Sequence, residues 1–422
     1  MPSSSPKRPC FIPRNREDIP VKYFLKTFGC RVNQYETEAL REGLVSDGDV
    51  LTDDFEAADL CVLNTCSVTG EADRDALTLL RRISRRNPAA RIVVTGCLAT
   101  RAEREVLEAA PSAIVVPNRE KDSIPGLLGC APRPGGLERF HGHARAFVKV
   151  QDGCDMGCTY CIVPSVRPEL WSKPLEALEE ECRGLIAAGV PELVLCGIRL
   201  GRWRSGTLSL PDLIARLCRL PGDFRLRLSS LEVSDVSARF LKAAAEAEEK
   251  FCPSFHLPVQ SGSDAVLKRM GRWYNAGYFE RRVEALRGVF PGAGLFTDVL
   301  AGFPGETEKE FQETLDLLSR VGFSGLHAFR YSRRPGTPAA GLEGQLPESV
   351  LSGRAGALRT LDRRLRTAFA SAAAGSVRQA VVEERSPRVT ATTDHFLRLT
   401  LDRDPGPGLC WVEVGPAARG RV

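Results

Sequence analysis

Histidine is scarce in this 422-residue chain: there are five, and none stands in an H-x-x-H or H-E-x-x-H pattern, so a zinc hydrolase is a poor fit. No apolar run reaches the ~18 residues needed to cross a bilayer. The first residues, MPSSSPKRPCFIPRNREDIP, lack the apolar central block of a secretory leader. The expectation is a cytoplasmic protein without a membrane partner. Neither sign of charge dominates, since 58 Lys and Arg against 53 Asp and Glu leave +5. That balance permits an RNA partner but does not argue for one. With 43% apolar and 26% charged residues the chain is of globular composition, which excludes disorder as its dominant state. Cysteine is the exception to this scarcity. Fourteen are present, and in a cytosolic chain clustered cysteines read as metal or redox ligands before disulfides.

At ~150 residues per domain the length predicts two or three domains. Residues 1–21, rich in Ser and Pro, read as a tail. From Tyr23 short apolar runs (Tyr23–Phe28, Leu60–Thr65, Arg91–Gly96, Ala113–Pro117) alternate with helical patterns such as Gln34–Ser46 and Ala72–Arg86. This alternation predicts a parallel α/β domain over 22–118, of flavodoxin-like type. Residues 119–144, with Pro-Arg-Pro-Gly-Gly, read as a linker. A second series over 145–374 offers strands at Ala146–Val150, Glu192–Cys196, Arg225–Ser229, Ser254–Val259, Leu295–Ala301 and Gly325–Tyr331. Six strand–helix units predict a full or partial barrel, followed by a helix near Glu348–Ala374. Residues 375–422 then turn to short β-type runs and predict a small all-β module.

The sharpest local feature is Gly153-Cys154-Asp155-Met156-Gly157-Cys158-Thr159-Tyr160-Cys161, placed between a strand and a helix. Three thiolates in eight residues bind three irons of a 4Fe–4S cube and leave the fourth open to a chelating small molecule. A zinc knuckle is the alternative, but no fourth Cys or His follows at zinc spacing. A second triplet is dispersed. Cys30, Cys66 and Cys97 are 36 and 31 residues apart, each at the carboxyl end of a strand candidate. In a parallel sheet those ends converge on one edge. Of the other cysteines, Cys61, Cys182, Cys196 and Cys218 fall in apolar patterns and read as small buried residues.

The Cys154–Cys161 run resembles the cluster loop of radical S-adenosylmethionine (SAM) enzymes, whose open iron binds the amino and carboxylate groups of SAM and whose reduced cluster cleaves it to a 5′-deoxyadenosyl radical. With the dispersed triplet, His256-Leu257-Pro258-Val259-Gln260-Ser261-Gly262-Ser263, Gly302-Phe303-Pro304-Gly305-Glu306-Thr307 and Tyr331-Ser332-Arg333-Arg334-Pro335-Gly336-Thr337, the chain resembles the methylthiotransferase family. That resemblance implies an N-terminal cluster domain, a partial (β/α)6 radical SAM barrel and a C-terminal TRAM-like β-barrel. It implies two 4Fe–4S clusters, one on Cys30, Cys66 and Cys97, the other, which cleaves SAM, on Cys154, Cys158 and Cys161. It further implies SAM contacts at Gly197, Ser229, Glu232, Gln260, Ser261 and Gly302.

Thr27-Phe28-Gly29-Cys30-Arg31-Val32-Asn33-Gln34-Tyr35-Glu36 resembles the branch that acts on N6-threonylcarbamoyladenosine at tRNA position 37, beside the anticodon. The resemblance then implies methylthiolation of carbon 2 with two SAM per turnover, a tRNA anticodon stem-loop as partner, a low-potential donor such as flavodoxin or ferredoxin, and a sulfur donor. Arg199 and Arg334 are candidate partners for the threonyl carboxylate, since a buried carboxylate needs a cation. The chain departs from the family in reading Arg167-Pro168 where Arg-Gly is common, and Trp171-Ser172-Lys173 where Arg-Ser-Arg is common. Its C-terminal module is also short. Methylthiolation of isopentenyladenosine or of a ribosomal-protein Asp stays open, as does a non-enzymatic electron carrier.

Overall fold

A computed structural model describes residues 20–45, 49–130 and 136–422. Most of the expected tail, part of the expected linker, and Cys10 lie outside them. The chain forms two compact units: one runs to Leu137 and takes in Ser165–Arg167, the other comprises Glu138–Pro164 and Pro168–Val422.

The first unit runs β1 (Lys22–Thr27), α1 (Arg31–Leu44), β2 (Val50–Leu51), β3 (Leu60–Thr65), α2 (Gly70–Arg86), β4 (Arg91–Gly96), α3 (Cys97–Arg101), α4 (Glu103–Ala109), β5 (Ile114–Val116) and α5 (Ile124–Leu127). The parallel sheet has the order β2-β1-β3-β4-β5, the flavodoxin-type doubly wound arrangement. Every residue of β3 is buried, as a strand covered on both faces requires. Leu63, Leu80, Ile83 and Val94 pack on one face, and Tyr23, Leu40, Val62 and Val93 on the other. α2 starts where Thr69 Oγ1 accepts from Ala72 N at 3.2 Å, and its acidic first turn and basic last turn suit the helix dipole. α1 begins at Arg31, three residues before the expected Gln34, because polar Arg31 and Asn33 hide the apolar period there.

The second unit continues with β6 (Arg145–Asp152), α6 (Val163–Val166, whose last two residues belong to the first unit), β7 (Trp171–Ser172), α7 (Leu175–Ala187), β8 (Glu192–Gly197), the hairpin β9 (Arg204–Ser205) and β10 (Leu208–Ser209), α8 (Leu210–Cys218), β11 (Arg225–Leu228) and α9 (Ala238–Glu246). It then adds β12 (Ser254–His256), α10 (Asp264–Arg269), α11 (Ala276–Val289), β13 (Gly294–Ala301), α12 (Glu308–Val321), β14 (Gly325–Arg330) and α13 (Glu348–Ala373). Parallel strands β6, β8 and β11 pair side by side, as do β12, β13 and β14. Isolated bridges Leu226–Phe251 and Ser230–His256 join the two groups, giving the six-stranded partial barrel. β12 ends at His256, short of the expected Val259, because Pro258 has no N–H to donate and Gln260 turns the backbone to φ 66°.

Strands β15 (Val377–Glu384), β16 (Thr390–Thr393), β17 (Arg398–Leu401), β18 (Leu409–Gly415) and β19 (Arg419–Arg421) close into a small barrel around Val382, Leu399, Val412 and Val414. It stands against the amino ends of β8, β11 and β13. Arg225 donates to Gln379 O and Thr392 O, each at 2.7 Å. Arg227 donates to Thr393 O at 2.9 Å and Asp394 O at 2.8 Å. Glu192 holds both guanidiniums, at 2.6 and 2.7 Å. These buried charges are tolerable because each is paired and hydrogen-bonded. A Cβ on Gly294 would lie 1.9 Å from His395 O, so β13 begins against barrel backbone, and Phe296 of the same strand meets Phe396 edge-on at 5.5 Å.

Candidate active site

Cys30, Cys66 and Cys97 each follow the end of a neighbouring strand of the first unit: β1, β3 and β4. Glycines in left-handed conformations let the loops close. Gly29 has φ 93°, and a Cβ there would lie 2.5 Å from Cys66 Cβ; Gly96 has φ 97°, and its Cβ would lie 2.2 Å from Thr65 O. The Cys66 thiol lies within electrostatic range of both Cys30 and Cys97, and burial pushes it up to about 12. A thiol so enclosed ionises only with a cation bound to it. Polar groups surround the triplet. Asn118 Nδ2 lies 3.7 Å from Cys97 Sγ. Arg167, from the segment that belongs to this unit, makes two 2.9 Å bonds to Glu36 and one of 3.0 Å to Asn33. Lys121 also pairs with Glu36. Three converging thiols with N–H donors and a guanidinium nearby suit an anionic iron–sulfur cluster.

In the second unit Gly153 carries the chain from β6 into the Cys154–Cys161 loop at φ 80°; a Cβ there would lie 1.9 Å from Glu169 O. The loop is tied down by Thr159 N to Met270 O at 3.0 Å and Thr159 Oγ1 to Arg269 O at 2.9 Å. Burial first, then Cys158 and Cys154, push the Cys161 thiol up to about 12. Arg272, buried and paired with Glu232, lies with Nη1 3.3 Å from Cys158 Sγ. Its guanidinium lies over the Tyr274 ring at 4.9 Å. Enclosed thiols beside a guanidinium again suit an anionic cluster, whose metal ions take the place of the thiol protons.

The expected SAM contacts fall at the carboxyl ends of the strands. Gly197 ends β8, and a Cβ there would lie 3.0 Å from Gln151 Cβ. Ser229 follows β11 with a buried, unpartnered Oγ. Glu232 is held by Arg272. Gln260 has φ 66°, an energetically unfavourable left-handed conformation for a side chain of its kind, fixed by its N–H to Asp298 O at 2.9 Å. Ser261 points away into the core, 3.1 Å from Thr314 Oγ1. Gly302 N donates to Glu306 Oε2 at 2.8 Å. Arg199 is paired with Asp155 of the cluster loop at 2.6 Å, and Arg334 is buried.

Sequence reasoning missed a polar chain across three barrel strands. Ser230 Oγ lies 2.6 Å from His256 Nδ1, His256 Nε2 2.9 Å from Asp298 Oδ1, and His327 Nδ1 3.2 Å from the same oxygen. Burial works against the Asp298 carboxylate, but hydrogen bonds from the two imidazoles hold its pKa down at about 2. The available signal was one Asp in an otherwise mostly apolar strand, Leu295-Phe296-Thr297-Asp298-Val299-Leu300. Arg272 and Arg167 were likewise invisible as partners of the cysteine loops.

Residues 22–117 match the uncharacterized protein family UPF0004, and residues 148–318 match the radical SAM superfamily. The chain is 38% identical to a threonylcarbamoyladenosine tRNA methylthiotransferase of Thermotoga maritima, covering 85% of this chain and 86% of that one. It is 34% identical to a tRNA-2-methylthio-N6-dimethylallyladenosine synthase of Cereibacter sphaeroides, covering 95% of each. Among solved structures, the radical SAM methyltransferase TsrM of Kitasatospora setae, with cobalamin and a 4Fe–4S cluster bound, shares the fold. It superposes with a TM-score of 0.55 at 15% identity, covering 76% of this chain and 77% of that one. No helix among the described residues is long and apolar enough to cross a membrane. The chain belongs to the radical SAM methylthiotransferases, enzymes that use SAM and 4Fe–4S chemistry.

Proposed function

We propose that this chain methylthiolates carbon 2 of N6-threonylcarbamoyladenosine at position 37 of tRNA, using two 4Fe–4S clusters and two SAM per turnover. The observation that carries the reading is the pair of cysteine triplets, one gathered at the carboxyl ends of three parallel strands and the other on the loop that follows β6. Cys30, Cys66 and Cys97 would hold one cluster within a domain spanning 22–118. Cys154, Cys158 and Cys161 would hold the other in a barrel spanning 145–374, with 119–144 as linker and 375–422 as the TRAM-like module. When bound, these groups supply a carbon radical able to take hydrogen from an unactivated aromatic carbon, together with the sulfur and methyl to be transferred.

The chain's own residues position these groups. Arg272, with Nη1 3.3 Å from Cys158 Sγ, would face the cluster with its positive charge. Gly197, Ser229, Glu232, Gln260 and Gly302 would line the SAM site, with Ser261 shaping its loop through Thr314. Arg199 would exchange Asp155 for the threonyl carboxylate, with Arg334 as second cation. Relatives named for threonylcarbamoyladenosine reach 38% identity and one named for the dimethylallyl nucleoside 37%; the residues around Cys30 favour the former substrate. A flavodoxin- or ferredoxin-like donor, a sulfur donor and the cytoplasm complete the reading.

The test is to express the gene in a bacterium lacking its own enzyme and to digest the tRNA to nucleosides. Mass spectrometry should show the 2-methylthio derivative of threonylcarbamoyladenosine appear as its precursor falls. The isopentenyl analogue alone, or a methylthiolated ribosomal protein, would assign another substrate. Replacing Cys154, Cys158 and Cys161 by Ala should abolish 5′-deoxyadenosine formation, whereas replacing Cys30, Cys66 and Cys97 should spare it and stop thiolation. Iron retained without any SAM cleavage by the parent would leave an electron carrier.

A further inference from the structure

The connection from α10 to α11 carries a cluster of groups that neither the cysteine loops nor the expected SAM contacts use. Trp273 is 50% exposed, a large amount for the largest apolar side chain. Its ring meets Tyr278 edge-on at 5.0 Å and Tyr274 at 5.4 Å, so it is held rigidly. With Lys268 and Arg281 it lines an open cavity of about 320 Å³. Both cations are exposed, and neither makes an ion pair among the described residues. The lining holds one carboxylate, Asp264, whose Oδ1 accepts from Ala276 N at 2.8 Å, so the cations are in excess.

Place and chemistry together select a ligand. Arg272, next in sequence to Trp273, also lines this cavity and touches Cys158 Sγ, while a Cβ on Gly271 would lie 2.7 Å from Gly157 O. The cavity therefore opens beside the loop at which the substrate must arrive. A fixed, half-exposed indole offers a stacking face to any base, and two free cations offer contacts to its phosphates. An apolar protein partner would leave both cations unanswered, whereas a polyanion answers both.

We infer that Trp273, Lys268 and Arg281 form an accessory nucleotide-binding site, which stacks an unpaired base of the tRNA other than the base being modified and holds its flanking phosphates. The inference rests on the proposed tRNA substrate. It gives Trp273 a task that needs no base-specific hydrogen bond, so the site grips the loop without reading its sequence.

The test uses the cluster-loaded holoenzyme and a fluorescent anticodon stem-loop RNA, with affinity measured by anisotropy over a range of salt. Trp273→Ala should weaken binding about tenfold with an unchanged salt slope, and Trp273→Phe should restore most of the loss. Lys268→Gln and Arg281→Gln should each flatten the salt slope by about 0.7 per lost phosphate contact. All four variants should form 5′-deoxyadenosine from SAM at the parental rate in the absence of RNA. Parental affinity in Trp273→Ala would overturn the accessory site while leaving the tRNA assignment intact. Failure of the unmodified holoenzyme to bind the RNA would instead refute the tRNA reading itself. Equal losses in the Ala and Phe variants would show a packing role for Trp273 and refute stacking.

Discussion

Histidine 395 shows how one residue ties stability to pH. Its ring is 1% exposed, faces Phe369 at a centroid distance of 5.1 Å, and places Nδ1 2.6 Å from Thr393 Oγ1. Burial first, then Arg378, Arg227 and Arg225, hold its pKa down at about 4 against the opposing pull of Asp394. As pH falls below ~6.5 the unfolded chain takes up this proton before the folded one does. The stability contribution is therefore complete above ~6.5 and is lost as pH falls towards about 4, by on the order of 2–3 kcal/mol. Denaturant titrations from pH 7 to 4 should show that loss in the transition of the C-terminal barrel, and His395→Leu should flatten it. At this scale the site was only half legible. The Cys154–Cys161 run stands out by its spacing, and Cys30, Cys66 and Cys97 by their places at the ends of strand patterns. Arg167, Arg272, Asp298 and His327 carry no such spacing; each acquires its partner only when distant loops or strands pack.

At the scale of elements, two glycines four residues apart give opposite predictions. Gly153 has φ 80° and no room for a Cβ, whereas nothing lies within 4 Å of one on Gly157. Gly153→Ala should displace the loop from Glu169 and halve the iron retained after anaerobic reconstitution. Gly157→Ala should keep full iron. Equal iron content in both would show that the loop tolerates the strain. Elements with local signals are readable: α12 begins at a Thr307–Glu310 capping box and stops at Gly322 in the left-handed region. β2 and β19 are not, since Val50–Leu51 are exposed and Arg-Gly-Arg has no apolar alternation. Such strands exist because a neighbouring backbone pairs with them, which no single-segment pattern records.

Across the whole molecule, the pairing of Glu192 with Arg225 and Arg227 changes what truncation measures. Deleting 376–422 has the appeal of isolating an RNA-binding appendage. Yet Gln379 O, Thr392 O, Thr393 O and Asp394 O would go with it, exposing the amino ends of β8 and β11 and stripping four acceptors from two buried guanidiniums. Truncated protein should melt several degrees lower and lose iron from the barrel loop on heating. Substitution of exposed Arg398 or Arg403 is the cleaner probe of RNA contacts, and should leave melting within about 1 kcal/mol of the parent. An unchanged melting temperature on truncation would show the attachment to be energetically neutral.

Those four acceptors are all main-chain carbonyls, a group that every amino acid carries. Apart from Phe396, whose ring lies 5.0 Å from the Arg227 guanidinium, attachment of the C-terminal barrel to β11 therefore asks its loops for a backbone path more than for particular side chains. Inheritance can rewrite that module's outer surface, lengthening a hairpin or trading one partner for another, without renegotiating the joint. The constraint falls instead on Glu192, Arg225 and Arg227, where a single altered charge would strand the others. In a lineage of such proteins the socket should stay fixed while the plug drifts.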